Sequence, residues 1–212
     1  MNTDFLPVAP LDEHHVLDRF DSGVEDLDRW LRRTALTAAS VGTAATYVLC
    51  HTVVETSPSR PVDAARSPVA PRPGDDGAPS ESSSPDGDPM PLGPEVVGYY
   101  TLAVRSIEQD LGPRLLARGV PESVSVIQIA RLAIDRNAQG VGLGGELLVE
   151  ALRRAVIAGR SVGARAVVVD SVDEPAYRFY EHMGFEELEG MRLFKSLDDL
   201  EQALGAERPG PR

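Results

Sequence analysis

Cysteine, aromatic residues and positive charge are all scarce in these 212 residues. Cys50 stands alone, so no intrachain disulfide can form and a cytoplasmic address is expected. Its neighbours Val48, Leu49, Val53 and Val54 read as the setting of an ordinary buried thiol, not a nucleophile. No apolar run approaches the roughly 20 residues needed to span a bilayer. No basic stretch followed by an apolar one opens the chain, so neither a membrane location nor a secretory signal is expected. Aromatics make up 5% of the chain, while the apolar share of 42% is enough for a real core. A net charge of −12 argues against broad, non-specific nucleic-acid binding. Acids and bases nearly balance from Val96 to Lys195, however, which leaves room for a local basic surface. His14 and His15 have no partner at metal-ligand spacing, so no metal is expected. Neither a catalytic triad nor an internal repeat is readable.

Residues 57–95 differ in kind from the rest. They hold ten of the seventeen prolines and not one aromatic residue, with Ser, Gly and Asp between. Such a stretch buries too little apolar surface to offset its ordering entropy, and disorder is expected. Strand signals flank it at Ala45–Glu55 and Glu95–Val104, which reads as one antiparallel hairpin with a swollen turn. Loop-closure cost grows only logarithmically with length, so one domain over residues 1–197, interrupted by this insert and followed by a tail at 198–212, is the simpler organisation. Upstream, Asp21 or Ser22 is expected to cap a helix whose apolar stripe is Leu27, Trp30, Leu31 and Ala35. Residues 107–120 read as a helix or ordered connection. Leu147, Leu148, Ala151, Leu152 and Ala155 mark a second amphipathic helix. Ala166–Asp170 reads as a strand buried on both faces, Glu174–Met183 as a short helix, and Leu188–Ser196 as a final strand.

The most informative stretch is Val126 to Gly145, a strand followed by a glycine-dense turn and a helix start. Clustered backbone N–H groups at a helix N-terminus suit a pyrophosphate. Gly140-Val-Gly142-Leu-Gly-Gly145 satisfies the dinucleotide pattern G-x-G-x-x-G, and Asp170 ends the next strand where a ribose acid would sit. Against that stand the five residues 135–139 between strand and first glycine, and the forty or so residues left after Asp170. No Lys-Ser/Thr follows the last glycine, which rules out a Walker A loop.

Gln139-Gly-Val-Gly142-Leu-Gly144 matches Q/R-x-x-G-x-G/A, and Asp173-Glu-Pro-Ala-Tyr-Arg-Phe179-Tyr180-Glu-His-Met-Gly184-Phe185 resembles N-x-x-A-x-x-F-Y-x-x-x-G-F, with Asp173 in place of the usual Asn. Together they resemble the two signatures of the GNAT (Gcn5-related) N-acetyltransferases. Phe20-Asp-Ser-Gly, the 27–35 block, Thr46-Tyr-Val-Leu, Val97-Gly-Tyr-Tyr-Thr-Leu and Arg131-Leu-Ala-Ile-Asp further resemble the acetyltransferase toxins of bacterial type II toxin–antitoxin modules. The resemblance spans about residues 5–56 and 96–197. It implies an α/β GNAT fold: a mixed, mostly antiparallel sheet flanked by helices and splayed where acetyl-coenzyme A enters. It implies cofactor contacts from Gln139, Gly140, Val141, Gly142, Leu143, Gly144 and Gly145, with Gly142 and Gly144 least tolerant of a Cβ. Leu132, Ala133 and Ile134 would pair their backbone with the pantetheine arm, and Tyr180 would be the catalytic acid. Arg29, Arg32 and Arg33 are candidate contacts for tRNA phosphates, or else a solvated helix face. Arg131 is expected to face solvent or substrate. The implied acceptor is the α-amine of aminoacyl-tRNA, which titrates near 8 and needs less help from a base than a lysine near 10.4. A ribbon-helix-helix antitoxin and a homodimer are the implied partners. A housekeeping N-acetyltransferase of a small amine or protein amine is the alternative, and a non-catalytic GNAT-fold module a third reading.

Overall fold

The computed structural model describes residues 5–51, 93–108 and 123–206. Most of the 57–95 insert, and the 107–120 connection beyond Glu108, lie outside the described residues. The strands are β1 (Ala9–Pro10), β2 (Ala45–His51), β3 (Glu95–Glu108), β4 (Ser123–Ile134), β5 (Ala166–Asp170), β6 (Glu186–Glu189) and β7 (Arg192–Ser196). Among the described residues they form one sheet, ordered β1-β2-β3-β4-β5-β7-β6. The β2–β3 pair is the antiparallel hairpin expected around the insert, and it begins at His51↔Glu95. Pro94 already accepts from the Val16 N–H at 3.0 Å, so the sheet reclaims the last residues assigned to the insert. Only β4 and β5 run parallel, and Ala166–Val169 are buried as expected of a central strand.

The two sheet faces carry separate cores. On one, α3 (Leu143–Val162) packs Leu147, Leu148, Ala151, Leu152 and Ala155 against Tyr100, Leu102, Ile127, Ile129, Val167 and Val169. Tyr180 and Phe185, from α4 (Glu174–His182) and the segment after it, belong to the same cluster. On the other face, α1 (Glu25–Arg33) and α2 (Ala35–Ser40) cover Val48, Cys50, Val96, Tyr99 and Ala133 with Leu31 and Ala35. Fully burying side chains of this size is worth about 1.5–3 kcal/mol each. These two cores therefore fix which sheet face each helix occupies.

Three local expectations need correction. The N-cap of α1 is Val24, with no side-chain cap. Asp21 and Ser22 are engaged elsewhere: Asp21 accepts from the Gly23 N–H at 2.9 Å, and the Ser22 hydroxyl donates to the buried Asp28 carboxylate at 2.6 Å. The final strand is a hairpin, β6 and β7, turning at Gly190 with φ 59°. Residues 198–206 are not a tail but most of α5 (Leu197–Ala206), whose Leu197 and Leu200 are buried in the α3 core. Ser196 caps it, accepting from the Asp199 N–H at 3.0 Å.

Candidate active site

Strand β4 has two unlike edges. Toward β3 it is paired from Ser123 to Ile134, with a bulge at Ala130 that shifts the register between Thr101 and Leu102. Toward β5 it is paired only from Ile127 to Ile129. Beyond Ile129 the two parallel strands part, and Arg131 to Ile134 keep an edge with no strand beside it among the described residues. Unpaired backbone edges accept an extended ligand as readily as another strand. Leu132, Ala133 and Ile134 lie along this split, and the side chains of Ala133 and Ile134 are core, as expected.

The glycine turn closes the end of the split. Asp135 starts a short 3₁₀ turn (Arg136–Ala138), and Gly142 is the N-cap of α3. Gly140 and Gly142 have φ of 79° and 93°, where an L side chain is strained. Gly144 has no such φ, and a Cβ there would meet only Ile134 and Phe179 at 4.0 Å. The positions that demand glycine are thus 140 and 142, not 142 and 144. The Gly145 and Glu146 N–H groups return to the Gly142 carbonyl. Those of Val141, Gly142, Leu143 and Gly144 make no hydrogen bond among the described residues, as the first turn of a helix requires. This row of free donors at the positive end of a 20-residue helix is an anion cradle.

The cradle is braced by side chains whose structural role the sequence did not reveal. Asp135 is buried; its Oδ2 accepts from the Asp21 N–H and its Oδ1 from the Asn137 N–H, both at 2.9 Å. The Gln139 amide donates to the Ser22 carbonyl at 3.0 Å and to the Ile134 carbonyl at 2.8 Å. Gln139 therefore holds the turn against the segment leading into α1, and its side chain is committed to that task. Asp173 caps α4 by accepting from the Ala176 N–H at 2.8 Å, so the Asp replacing Asn keeps a structural hydrogen bond.

Tyr180 lies in the α3-side core between Phe179 and Phe185, with ring centroids 5.2 and 5.6 Å away. Its hydroxyl has no protein partner among the described residues, and burial pushes it up to about 12. Just past β5, Ser171 is buried and its hydroxyl has no partner among the described residues. An orphaned hydroxyl at the end of β5, a free strand edge and a row of free N–H groups fit a long ligand with amides at one end and a pyrophosphate at the other. Coenzyme A is such a molecule. Cys50, by contrast, is buried, and desolvation pushes its thiol up to about 12, which suits an inert packing role. Among the described residues no group of three or more His, Cys, Asp or Glu side chains is placed to hold a metal.

The arginines of α1 divide. Arg29 is exposed and paired with Glu25 and Asp26. Arg32 donates to the Phe20 carbonyl at 2.8 Å. Arg33 is exposed, with no ion pair among the described residues. Only Arg33 of the three is uncommitted. A groove between Phe5–Val8 and the Leu143–Arg154 side of α3 lies toward β2, with Leu49 in its lining.

Residues 94–187 match the family model described as acetyltransferase (GNAT) domain. It is 44% identical over 91 residues to a tRNA-acetylating toxin of Mycobacterium tuberculosis, an alignment covering 43% of this chain and 55% of that protein. The chain spans about half the length of the curated relative it matches. Two solved structures share the fold. AtaT complexed with acetyl-methionyl-tRNAfMet superposes with a TM-score of 0.68 at 23% identity, covering 95% of this chain and 99% of that one. A mutant AtaT toxin bound to the C-terminus of the antitoxin AtaR and acetyl-CoA gives 0.65 at 23% identity, with 95% and 98% covered.

Proposed function

We propose that this GNAT domain transfers acetyl from acetyl-coenzyme A to the α-amine of an aminoacyl-tRNA, and so acts as a translation-blocking toxin. The observation that carries the cofactor half is the unpaired β4 edge leading to the free N–H groups of Val141 to Gly144. The acceptor half is supported by the tRNA-acetylating relative and by AtaT with acetyl-methionyl-tRNAfMet. The coenzyme would supply the activated acyl group as a thioester. Val141 to Gly144 would hold its pyrophosphate, Leu132 to Ile134 would pair with the pantetheine amides, and Gly140 and Gly142 would give the turn its shape.

Tyr180 would donate its proton to the departing sulfur. A general acid must be protonated at the working pH, and a hydroxyl pushed to about 12 stays so throughout the physiological range. The attacking α-amine needs no strong protein base, because it is substantially neutral near pH 8. In the transfer the C–N bond forms as the C–S bond breaks. The amine's proton goes to solvent, and the Tyr180 proton goes to sulfur and is recovered from water.

On the same reading, residues on both sides of the insert form one catalytic domain that works in the cytoplasm, where charged tRNA is found. An antitoxin with a ribbon-helix-helix region would restrain it, in line with the AtaT complex with AtaR, and the toxin would be a homodimer. The test is incubation with radiolabelled acetyl-coenzyme A and charged tRNA. Label on the α-amine of the aminoacyl group is the expected result. Label on free amines or protein N-termini alone would replace the toxin by a housekeeping acetyltransferase.

A further inference from the structure

Arg131, Arg154 and Arg192 are the half-buried arginines among the described residues. Arg154 is paired with Glu150 at 3.0 Å, and Arg192 with Asp170 at 2.6 Å. Arg131 has no ion pair among the described residues. Its guanidinium lies instead 4.0 Å above the centre of the Trp30 ring. Trp30 is stacked on Tyr99, which is fixed by the edge of Phe20 and by a 2.9 Å hydrogen bond from its hydroxyl to the Leu27 carbonyl. A stacked ring pair buttressed edge-on by Phe20 therefore holds a cation in place without neutralising it. Burial lowers the Arg131 pKa, so the charge is short of compensation where it stands.

Its location gives that charge a use. Arg131 pairs with Thr101, and Ala133 with Tyr99, so Arg131 lies on the α1 face of the sheet, opposite α3. It is the first residue of β4 after the bulge, directly before Leu132 to Ile134, where the strand has parted from β5. A coenzyme seated along the split would have its pyrophosphate at the α3 N-terminus, and the other face is left for the acceptor. Farther along that face lies the cluster of Val126, Ala166, Val168 and Phe194, on which no helix packs among the described residues. Arg105, Gln128, Asp170 and Arg192 form a hydrogen-bonded row across it.

We infer that Arg131 is the acceptor-side anion contact, receiving a phosphodiester of the acceptor's terminal nucleotides while Trp30 keeps its guanidinium plane in position. The inference rests on the aminoacyl-tRNA reading above and deepens it. A planar guanidinium matches phosphate bidentately, and removal from water strengthens the contact. The overall charge of −12 does not oppose it, because one fixed cation acts within the Debye length of about 8 Å.

The test assays two acceptors with the same protein preparation: a charged tRNA and the methyl ester of the same amino acid, which has the α-amine but no phosphate. Arg131→Gln should lower kcat/KM about tenfold on charged tRNA and leave the methyl ester and the KM for acetyl-coenzyme A unchanged. The slope of log KM against log salt for charged tRNA should become shallower by about one. Arg131→Lys keeps the charge but not the plane, and should fall between. Equal losses on both acceptors, with Lys no better than Gln, would mean that Arg131 only packs on Trp30, and would overturn the inference. Unchanged rates on both would overturn it too. Wild-type protein inert toward charged tRNA but active on the methyl ester would remove the aminoacyl-tRNA reading itself, a different failure read from the wild type alone.

Discussion

The two edges of β4 set the two halves of this molecule apart. The β3 edge is paired along the whole strand and sits between two cores. The β5 edge is paired over only Ile127 to Ile129, then opens. The same strand is thus scaffold on one side and, on the proposed reading, binding surface on the other. What differs is the geometry beyond Ile129: a bulge at Ala130, divergence of β5, and a turn whose N–H groups cannot bond inward. Stability should be concentrated on the paired side and function on the open side.

The largest effect expected from breaking the open side is at Tyr180. Tyr180→Phe should lower turnover about 10²- to 10⁴-fold, the usual reach of a general acid, while calorimetric titration shows coenzyme A binding unchanged. Wild-type turnover would return Tyr180 to the core as packing alone. In the α3 core, Leu200→Ala should cost about 2–5 kcal/mol in denaturant unfolding by emptying a buried site. A cost near zero would restore residues 198–206 to the status of a tail.

Next in size come the glycines. Gly142→Ala should destabilise by about 1–2 kcal/mol through its φ of 93° and weaken coenzyme A several-fold. Gly144→Ala sits inside the helix with room for a methyl group, and should raise thermal stability by a few tenths to about 1 kcal/mol. Equal melting shifts from the two variants would remove the distinction between them.

The last effect is confined to alkaline pH. Tyr180 and Cys50 are both raised by burial, from ordinary values of 10 and 9 to about 12. A group raised in the folded state holds its proton while the unfolded chain loses it. Its stabilisation is present below the unfolded value and is lost as pH rises through the folded one. Melting temperature should therefore fall between about pH 9 and 12, and Cys50→Ala should soften the early part of that fall. A flat profile would contradict the burial of both groups.

Sequence made the open side legible because chemistry writes it locally. The turn from Gln139 to Gly145 and the run from Asp173 to Phe185 are contiguous, and their residue types follow from backbone shape and ring packing. The β2–β3 hairpin was legible for a similar reason, since β-branched runs survive on both sides of the insert. What escaped was set by distant partners. Asp21 and Ser22 looked like caps, but Gly23, Asp28 and Asp135 compete for them. Arg131 and Trp30 are 101 positions apart in the chain and meet only because α1 crosses β4. Helix α5 carried a readable signal, with Leu197, Leu200 and Leu204 at helical spacing after a capping Ser196, but its acidic composition hid it. The break at Gly190 was masked by the polar run of the edge strand β6.

The central claim is that the open edge of β4 and the glycine turn together hold coenzyme A. Hydrogen exchange of the full chain, with and without saturating coenzyme A, tests it most directly. Protection should appear at Leu132 to Ile134 and at Val141 to Gly145, with little change on β2 or β3. Protection confined to the groove between Phe5–Val8 and α3, or none in the turn, would contradict the account.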